Sequence, residues 1–230
     1  MTAALATRDQ KRLEMIRPLF AADLAVAVTD PLGRNPEPLP PESACLSPRA
    51  IDKRRREFAA GRHAAHQAMQ MLDHPVAPVL LAKDRSPIWP DGLIGGLTHT
   101  RSCAVAVLGR HGAIRAVGVD AEEDTPLKDA LLAEICSDRE RAWLATQTDP
   151  LRLAKLIFSA KEAAYKCQYR LSETLFGFDR FETEWDLPRG RFRACFTADT
   201  APFEKGDVLR GRFAIGHGLI VTGTELRAPS

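Results

Sequence analysis

Three carboxylates and a set of lysines stand in this sequence at spacings suited to metal and phosphate chemistry. In VGVDAEE, residues 117–123, Val117 and Val119 alternate as on a strand. Side chains on a strand repeat every two residues, so Asp120 and Glu122 turn together to the opposite face. Two carboxylates at a strand end form an oxygen-donor set for Mg²⁺ or Mn²⁺, whose remaining ligands come from water and phosphate oxygens. The plainer reading is a strand that runs out into a solvated acidic turn. In LRLAKLIFSAKEAAYKCQYRL, Lys155, Ser159, Glu162 and Lys166 lie four, three and four residues apart. On a helix they fall within a strip of ~60°, away from the apolar stripe of Leu153, Leu156, Ile157, Ala160, Ala164, Cys167 and Leu171. That strip can hold Glu162 at a metal and offer ammonium groups to phosphate. An ordinary solvated face with a Glu-to-Lys pair has the same pattern. Lys161 lies about 100° or more off the strip, so its position does not follow from this geometry.

A second cationic group precedes it. Arg55 and Arg62 are seven residues apart on IDKRRREFAAGRHAAHQAMQML and nearly eclipsed, with Arg54 about 80° and His66 about 40° around the same helix. Arginine forks match phosphate oxygens, although basic helices also simply face solvent. In GGLTHT, residues 95–100, His99 beside Thr98 is a further phosphate-contact candidate, against the plainer reading of a structural histidine.

The elements that must place these residues follow from the rest of the chain. Six prolines between residues 31 and 48 predict an extended connection without helix. The basic segment after it predicts a helix with Phe58, Ala65, Met69 and Leu72 inward. Residues 84–96 read as loop. Cys103–Leu108 and Ile114–Val119 alternate around GRHGA and predict a hairpin. Ser137 and Glu140 form a capping box before Trp143 and Leu144. Asp149-Pro150 opens a helix reaching about Leu171, and from residue 176 onward the pattern is β. Helices segregated from hairpins predict an α+β fold with antiparallel sheet, in two halves of similar make-up dividing after residue 115.

Composition narrows the function. The chain has 230 residues, 45% of them apolar, and a net charge of +2, with aromatics at 7%. Balanced charge argues against a nucleic-acid or membrane-surface partner, and scarce aromatics argue against a single-strand binder. The five cysteines are scattered without a C-x-x-C pair, which suggests neither zinc site nor disulfide framework. Charge interrupts the first twenty residues before a signal peptide could form, and a reduced, cytoplasmic protein is expected.

Taken together, GRHAAHQAM, RSPIWP, GGLTHT, VGVDAEE and FSAKEAAYK resemble the 4′-phosphopantetheinyl transferases of the surfactin-synthetase and enterobactin-synthetase (component D) type. The motifs span residues 54–185. Thr98 stands where the family usually has serine, which keeps the hydroxyl. The resemblance implies two α/β halves related by a pseudo-two-fold axis, antiparallel sheets each packed with helices, with coenzyme A in the cleft. Residues 1–115 would hold its adenylate and 3′-phosphate side, and 116–230 the metal and catalytic helix. It implies transfer of the phosphopantetheine arm to a serine of an acyl or peptidyl carrier protein, with adenosine 3′,5′-bisphosphate released. Asp120, Glu122 (favoured over Glu123 by family spacing) and Glu162 would hold Mg²⁺ or Mn²⁺, with Glu162 and Lys166 catalytic. Arg54, Arg62, Arg85, Thr98, His99, Lys155, Lys161 and Lys166 would contact coenzyme A, Ser86 competing with Arg85 for its place. A monomer serving a siderophore, nonribosomal-peptide or polyketide synthase is expected. A Mg²⁺-dependent phosphohydrolase acting on a nucleotide-like pyrophosphate is the alternative.

Overall fold

Two stretches of the chain repeat one order of elements, strand then helix then hairpin, and each builds an antiparallel sheet with a long helix across it. The computed structural model describes residues 2–228. The first stretch runs through α1 (Thr2–Ile16), β1 (Ala25–Thr29), α2 (Pro40–Ser43) and α3 (Asp52–Met71). It continues with β2 (Leu80–Leu81), β3 (Pro87–Ile88), β4 (Leu93–His99) and β5 (Ala104–Arg110). Its main sheet has the order β1-β5-β4, and β2 pairs with β3 as a small separate hairpin. The second stretch runs through β6 (Ile114–Glu123), α4 (Leu132–Ile135), α5 (Asp138–Leu144) and α6 (Pro150–Ser172). It ends with β7 (Phe181–Asp186), β8 (Arg191–Phe196), β9 (Val208–Gly216) and β10 (Leu219–Arg227), in the order β6-β10-β9-β8-β7.

Set side by side, β1, α3, β4, β5 and β6, α6, β9, β10 have the same strand order. The fold is therefore α+β with two similar halves, β7 and β8 being additions to the second sheet. Residue 115, where we propose the halves divide, is the second residue of β6.

Each long helix forms where its pattern predicts. Phe58, Ala65 and Met69 of α3 are buried, and Ala65 and Met69 pack on Ala25, Ala27, Ala106 and Leu108 of β1 and β5. In α6, Pro150 occupies the first turn and the Asp149 side chain accepts from the Arg152 amide. The capping box of α5 is present: Ser137 Oγ accepts from Glu140 N at 3.2 Å, and Ser137 N donates to Glu140 Oε2 at 2.8 Å.

Three expectations are corrected. Cys103–Leu108 and Ile114–Val119 do not pair; β5 lies between β1 and β4, whereas β6 pairs with β10. Alternation fixes a strand's faces, not its neighbour, and β5 is buried on both faces from Ala104 to Leu108. The real hairpin closes through Thr100 N to Cys103 O, at 2.7 Å. Residues 84–96 are not all loop, because they include β3 and the start of β4. The proline-rich connection does contain one helical turn, α2, whose prolines sit in its first turn, where no intrahelical N–H is needed.

Candidate active site

Helix α6 lies directly on β6, and Gly118 permits it. A Cβ at Gly118 would stand 1.9 Å from the Ala163 carbonyl oxygen and 2.9 Å from the Cys167 nitrogen, so any side chain there would displace the helix. The facing residues Ala160, Ala163 and Ala164 are small and fully buried. Thr222 Oγ1 donates to the Ser159 carbonyl at 2.8 Å, which leaves Ser159 Oγ as donor in the 2.9 Å contact between the two hydroxyls. Ser159 thus anchors α6 to β10 and leaves the open end of its strip to Lys155, Glu162 and Lys166. Gly96 performs the same service for β4, since a Cβ there would stand 3.1 Å from Val119 Cγ1. The reading from sequence missed both glycines; the close approaches that require them are tertiary.

At the end of β6 the carboxylates meet the lysines. Lys166 Nζ donates to Asp120 Oδ1 at 2.6 Å, and Lys155 Nζ donates to Glu122 Oε2 at 3.1 Å. Glu123 faces elsewhere, taken by Ser102 Oγ at 3.0 Å and Arg101 at 3.4 Å, so it is Glu122 that joins the strip. Burial pushes the Glu162 carboxyl above its usual range; Lys166 opposes the rise, and Asp120 and Glu122 add to it. Burial raises Glu122 likewise, with Asp120 adding to it. In both, burial is the larger cause and the neighbouring carboxylate charge adds to it.

The other half supplies cations. Arg54, Arg62, Arg85 and His99 line one cavity of about 150 Å³, which shares Arg54, Leu81 and Arg85 with a wider groove of about 690 Å³. Arg62 is almost fully buried, lies 4.3 Å from the Phe58 ring centre, and pairs through Nε with Glu42 at 3.8 Å, while Nε and one terminal nitrogen make no hydrogen bond. Buried donors of a guanidinium without acceptors are costly unless an anion supplies them. Arg54 donates to His99 Nε2 at 2.8 Å, so the histidine proton sits on Nδ1, toward Glu57 at 3.9 Å. Burial and then Arg54 hold the His99 imidazole below its usual pKa. The Ser86 hydroxyl and amide both donate to Asp84, at 2.7 and 2.9 Å.

Two residues expected at coenzyme A are engaged elsewhere. Thr98 Oγ1 donates to Asp120 Oδ1 at 3.3 Å and accepts from Ala121 N at 3.3 Å. A hydroxyl has one proton to give, and Thr98 gives it to a carboxylate across the two halves. Lys161 points away from the strip into a closed set of acceptors: Glu140 at 2.7 Å, the Ile135 carbonyl at 2.8 Å and that of Phe178 at 3.2 Å. Its offset of about 100° per residue around the helix is the reason.

Family models match both halves. That of the 4′-phosphopantetheinyl transferase N-terminal domain matches residues 41–109, and that of the 4′-phosphopantetheinyl transferase superfamily matches residues 116–215. The chain belongs to the 4′-phosphopantetheinyl transferases. This transferase is 38% identical over 213 residues to the 4′-phosphopantetheinyl transferase PptT of Mycobacterium tuberculosis, covering 89% of this chain and 92% of the relative. It is 36% identical to Svp of Streptomyces mobaraensis, over 83% of this chain and 79% of the relative. Enterobactin synthase component D of Salmonella typhi is 40% identical over 130 residues, covering 55% of this chain and 53% of the relative.

Whether the transferase's carboxylates suit a divalent cation can be judged from their chemistry. Among the described residues, no three His, Cys, Asp or Glu side chains stand as a ready-made metal cage. Mg²⁺ does not demand one, since it keeps waters and takes substrate phosphates alongside one or two carboxylates. Asp120 is buried, and its Oδ2 has no partner. Three carboxylates against Lys155 and Lys166 leave one negative charge unmatched. Hard oxygen donors, an orphaned carboxylate oxygen and surplus negative charge fit such a cation. Beside Glu162, an aromatic-walled cavity of about 210 Å³ opens between Tyr165, Phe176, Phe178 and Phe181. No helix among the described residues is long and apolar enough to cross a membrane.

Proposed function

We propose that this transferase moves the 4′-phosphopantetheine arm of coenzyme A to a serine hydroxyl of an acyl or peptidyl carrier protein, with Mg²⁺ or Mn²⁺, releasing adenosine 3′,5′-bisphosphate. The observation that carries this is the end of β4. Thr98 turns to Asp120 and His99 to Arg54, so two successive residues face the carboxylate strip and the arginine cavity. A donor with a pyrophosphate at one end and a further phosphate at the other spans such a pair of sites. Coenzyme A is such a donor. The likeness to enterobactin synthase component D supports a carrier of siderophore or related nonribosomal-peptide assembly as acceptor.

In the reaction the serine oxygen bonds to the phosphorus bearing the pantetheine arm. The bond from that phosphorus to the bridging oxygen breaks, and its electron pair leaves with adenosine 3′,5′-bisphosphate. A metal ion held by Asp120, Glu122 and Glu162 would supply charge neutralisation on the pyrophosphate. Glu162 would take the serine proton, directly or through a water. Lys166 offers an ammonium to charge that grows on the transferred group. The aromatic-walled cavity suits the methyl and methylene groups of the arm. Incubation with labelled coenzyme A and an apo carrier protein should place label on the carrier's serine and yield adenosine 3′,5′-bisphosphate. Label that depends on the carrier's presence but survives serine-to-alanine exchange would refute the acceptor. Release of nucleotide without any carrier would favour hydrolysis.

The arginine cavity predicts a second result. Dephospho-coenzyme A should be a poorer donor than coenzyme A, because two charge-assisted hydrogen bonds at ~1.5–3 kcal/mol each amount to about two to four powers of ten in binding. In Arg54→Ala and His99→Ala that gap in kcat/KM should narrow at fixed salt. Equal use of both donors by the parent would remove the 3′-phosphate from this cavity.

A further inference from the structure

The strip on α6 does not stop at Lys166. Three residues on, at the next position of the same face, stands Tyr169, and its hydroxyl donates to Asp84 Oδ2 at 2.5 Å. Asp84 belongs to the other half, in the turn between β2 and β3. Its second oxygen accepts from both Ser86 N and Ser86 Oγ, at 2.9 and 2.7 Å. Ala82 N donates to Ser86 O and Arg85 N to Ala82 O, each at 2.9 Å, which closes the turn around Arg85. Arg85 itself is held at φ 71°, a conformation L residues seldom take unsupported. In this conformation its side chain lines both the arginine cavity and the wider groove beside it. Tyr169 is kept in place by its own neighbours, stacking on Tyr165 at 5.7 Å, which meets Phe176 edge-on at 5.4 Å.

We propose that Tyr169 is a positioning residue for donor binding, holding the β2–β3 turn, and through it Arg85, against the donor cavity from the helix that carries Glu162 and Lys166. The half that performs the transfer thereby sets one of the contacts with which the other half reads the nucleotide. The proposal rests on Arg85 being a donor contact, as read above. The bond is exposed, so its effect is that of one hydrogen bond on affinity, without a part in the chemical step. The low Asp84 pKa, about 2, and the Tyr169 phenol pushed up to about 12 agree with a bond formed to the ionised carboxylate.

The test is a double-mutant cycle on coenzyme A kinetics, with the parent, Tyr169→Phe, Arg85→Ala and the double variant. Tyr169→Phe should raise KM for coenzyme A roughly three- to tenfold, the range of one hydrogen bond, with kcat within about twofold. Arg85→Ala should raise it by at least as much, and the double variant should be no worse than Arg85→Ala. Asp84→Ala should reproduce Tyr169→Phe. A direct readout comes from the ring resonances of the two tyrosines in the chain. In Asp84→Ala one of them should ionise near pH ~10, its ordinary value, and in the parent neither should by that pH. If Arg85→Ala raises KM and Tyr169→Phe does not, or if their effects multiply, the positioning role is overturned and the Arg85 reading stands. If Arg85→Ala leaves KM unchanged, the reading of Arg85 as a donor contact fails, and the positioning role fails with it.

Discussion

Glu162→Gln is expected to lower kcat by roughly 10²–10⁴-fold, the span that a positioned proton acceptor commonly contributes. The exchange keeps the side chain's shape and removes both its charge and its capacity to take a proton. Glu162 is half-buried beside Asp120 and Glu122, and burial keeps its carboxyl above the usual range. An amide there removes like-charge repulsion, so the variant should fold at least as stably as the parent. Asp120→Ala should be as severe for a different reason. Asp120 holds the Lys166 ammonium at 2.6 Å and the Thr98 hydroxyl at 3.3 Å, and its Oδ2 has no partner. Its loss therefore releases a lysine, a cross-half hydrogen bond and the proposed metal ligand together. Transfer of labelled phosphopantetheine measures both variants, and Mn²⁺ titration by calorimetry separates binding from chemistry. A Glu162→Gln enzyme within threefold of the parent would end the proposed role of that carboxylate. Full turnover in excess chelator would end the metal assignment.

How much of this was legible in the sequence depends on how local each signal is. The α6 strip was legible because one helix carries it: fixed angular steps put Lys155, Glu162 and Lys166 together whatever the rest of the fold does. The same steps set Lys161 apart, while the family resemblance drew it toward coenzyme A. Asp120 and Glu122 were legible from the two-residue period of one strand. Strand period and family spacing both favoured Glu122 over Glu123, but what holds Glu123 away was not legible, because Ser102 and Arg101, which claim it, arrive from the β4–β5 turn. Strand neighbours were not legible either. Nothing within Ile114–Val119 says that its partner lies a hundred residues on in β10, and a short glycine-containing link reads the same between sheets as within a hairpin. Thr98 shows the limit most clearly. Its hydroxyl fits a phosphate or a carboxylate equally well on paper, and only the approach of β4 to β6 at Gly96 decides for Asp120.

Lys161 gives the largest expected effect on stability. Its ammonium and the Glu140 carboxylate are both almost wholly buried, and every hydrogen-bonding site of the ammonium is used. Glu140 is equally engaged: Oε1 accepts from Thr183 N and Thr183 Oγ1, at 2.8 and 2.6 Å, while Oε2 takes Ser137 N and Lys161. The pair ties α5, α6 and β7 into one unit beneath the cavity that flanks Glu162. Removing one partner of a buried ion pair leaves the other charged and unpaired, at a cost of ~3–5 kcal/mol. Lys161→Met, which keeps the stem, should therefore lower Tm by roughly 6–20 °C for a chain of this size. Lys161→Met with Glu140→Gln should recover part of the loss, because no uncompensated charge remains. At a temperature where the single variant is folded, its KM for coenzyme A should stay near the parent's. A lysine that contacted the donor would behave the other way round, with Tm preserved, KM raised and no rescue by Glu140→Gln. The two roles thus predict opposite pairs of measurements, and the closed hydrogen-bond geometry favours the structural one.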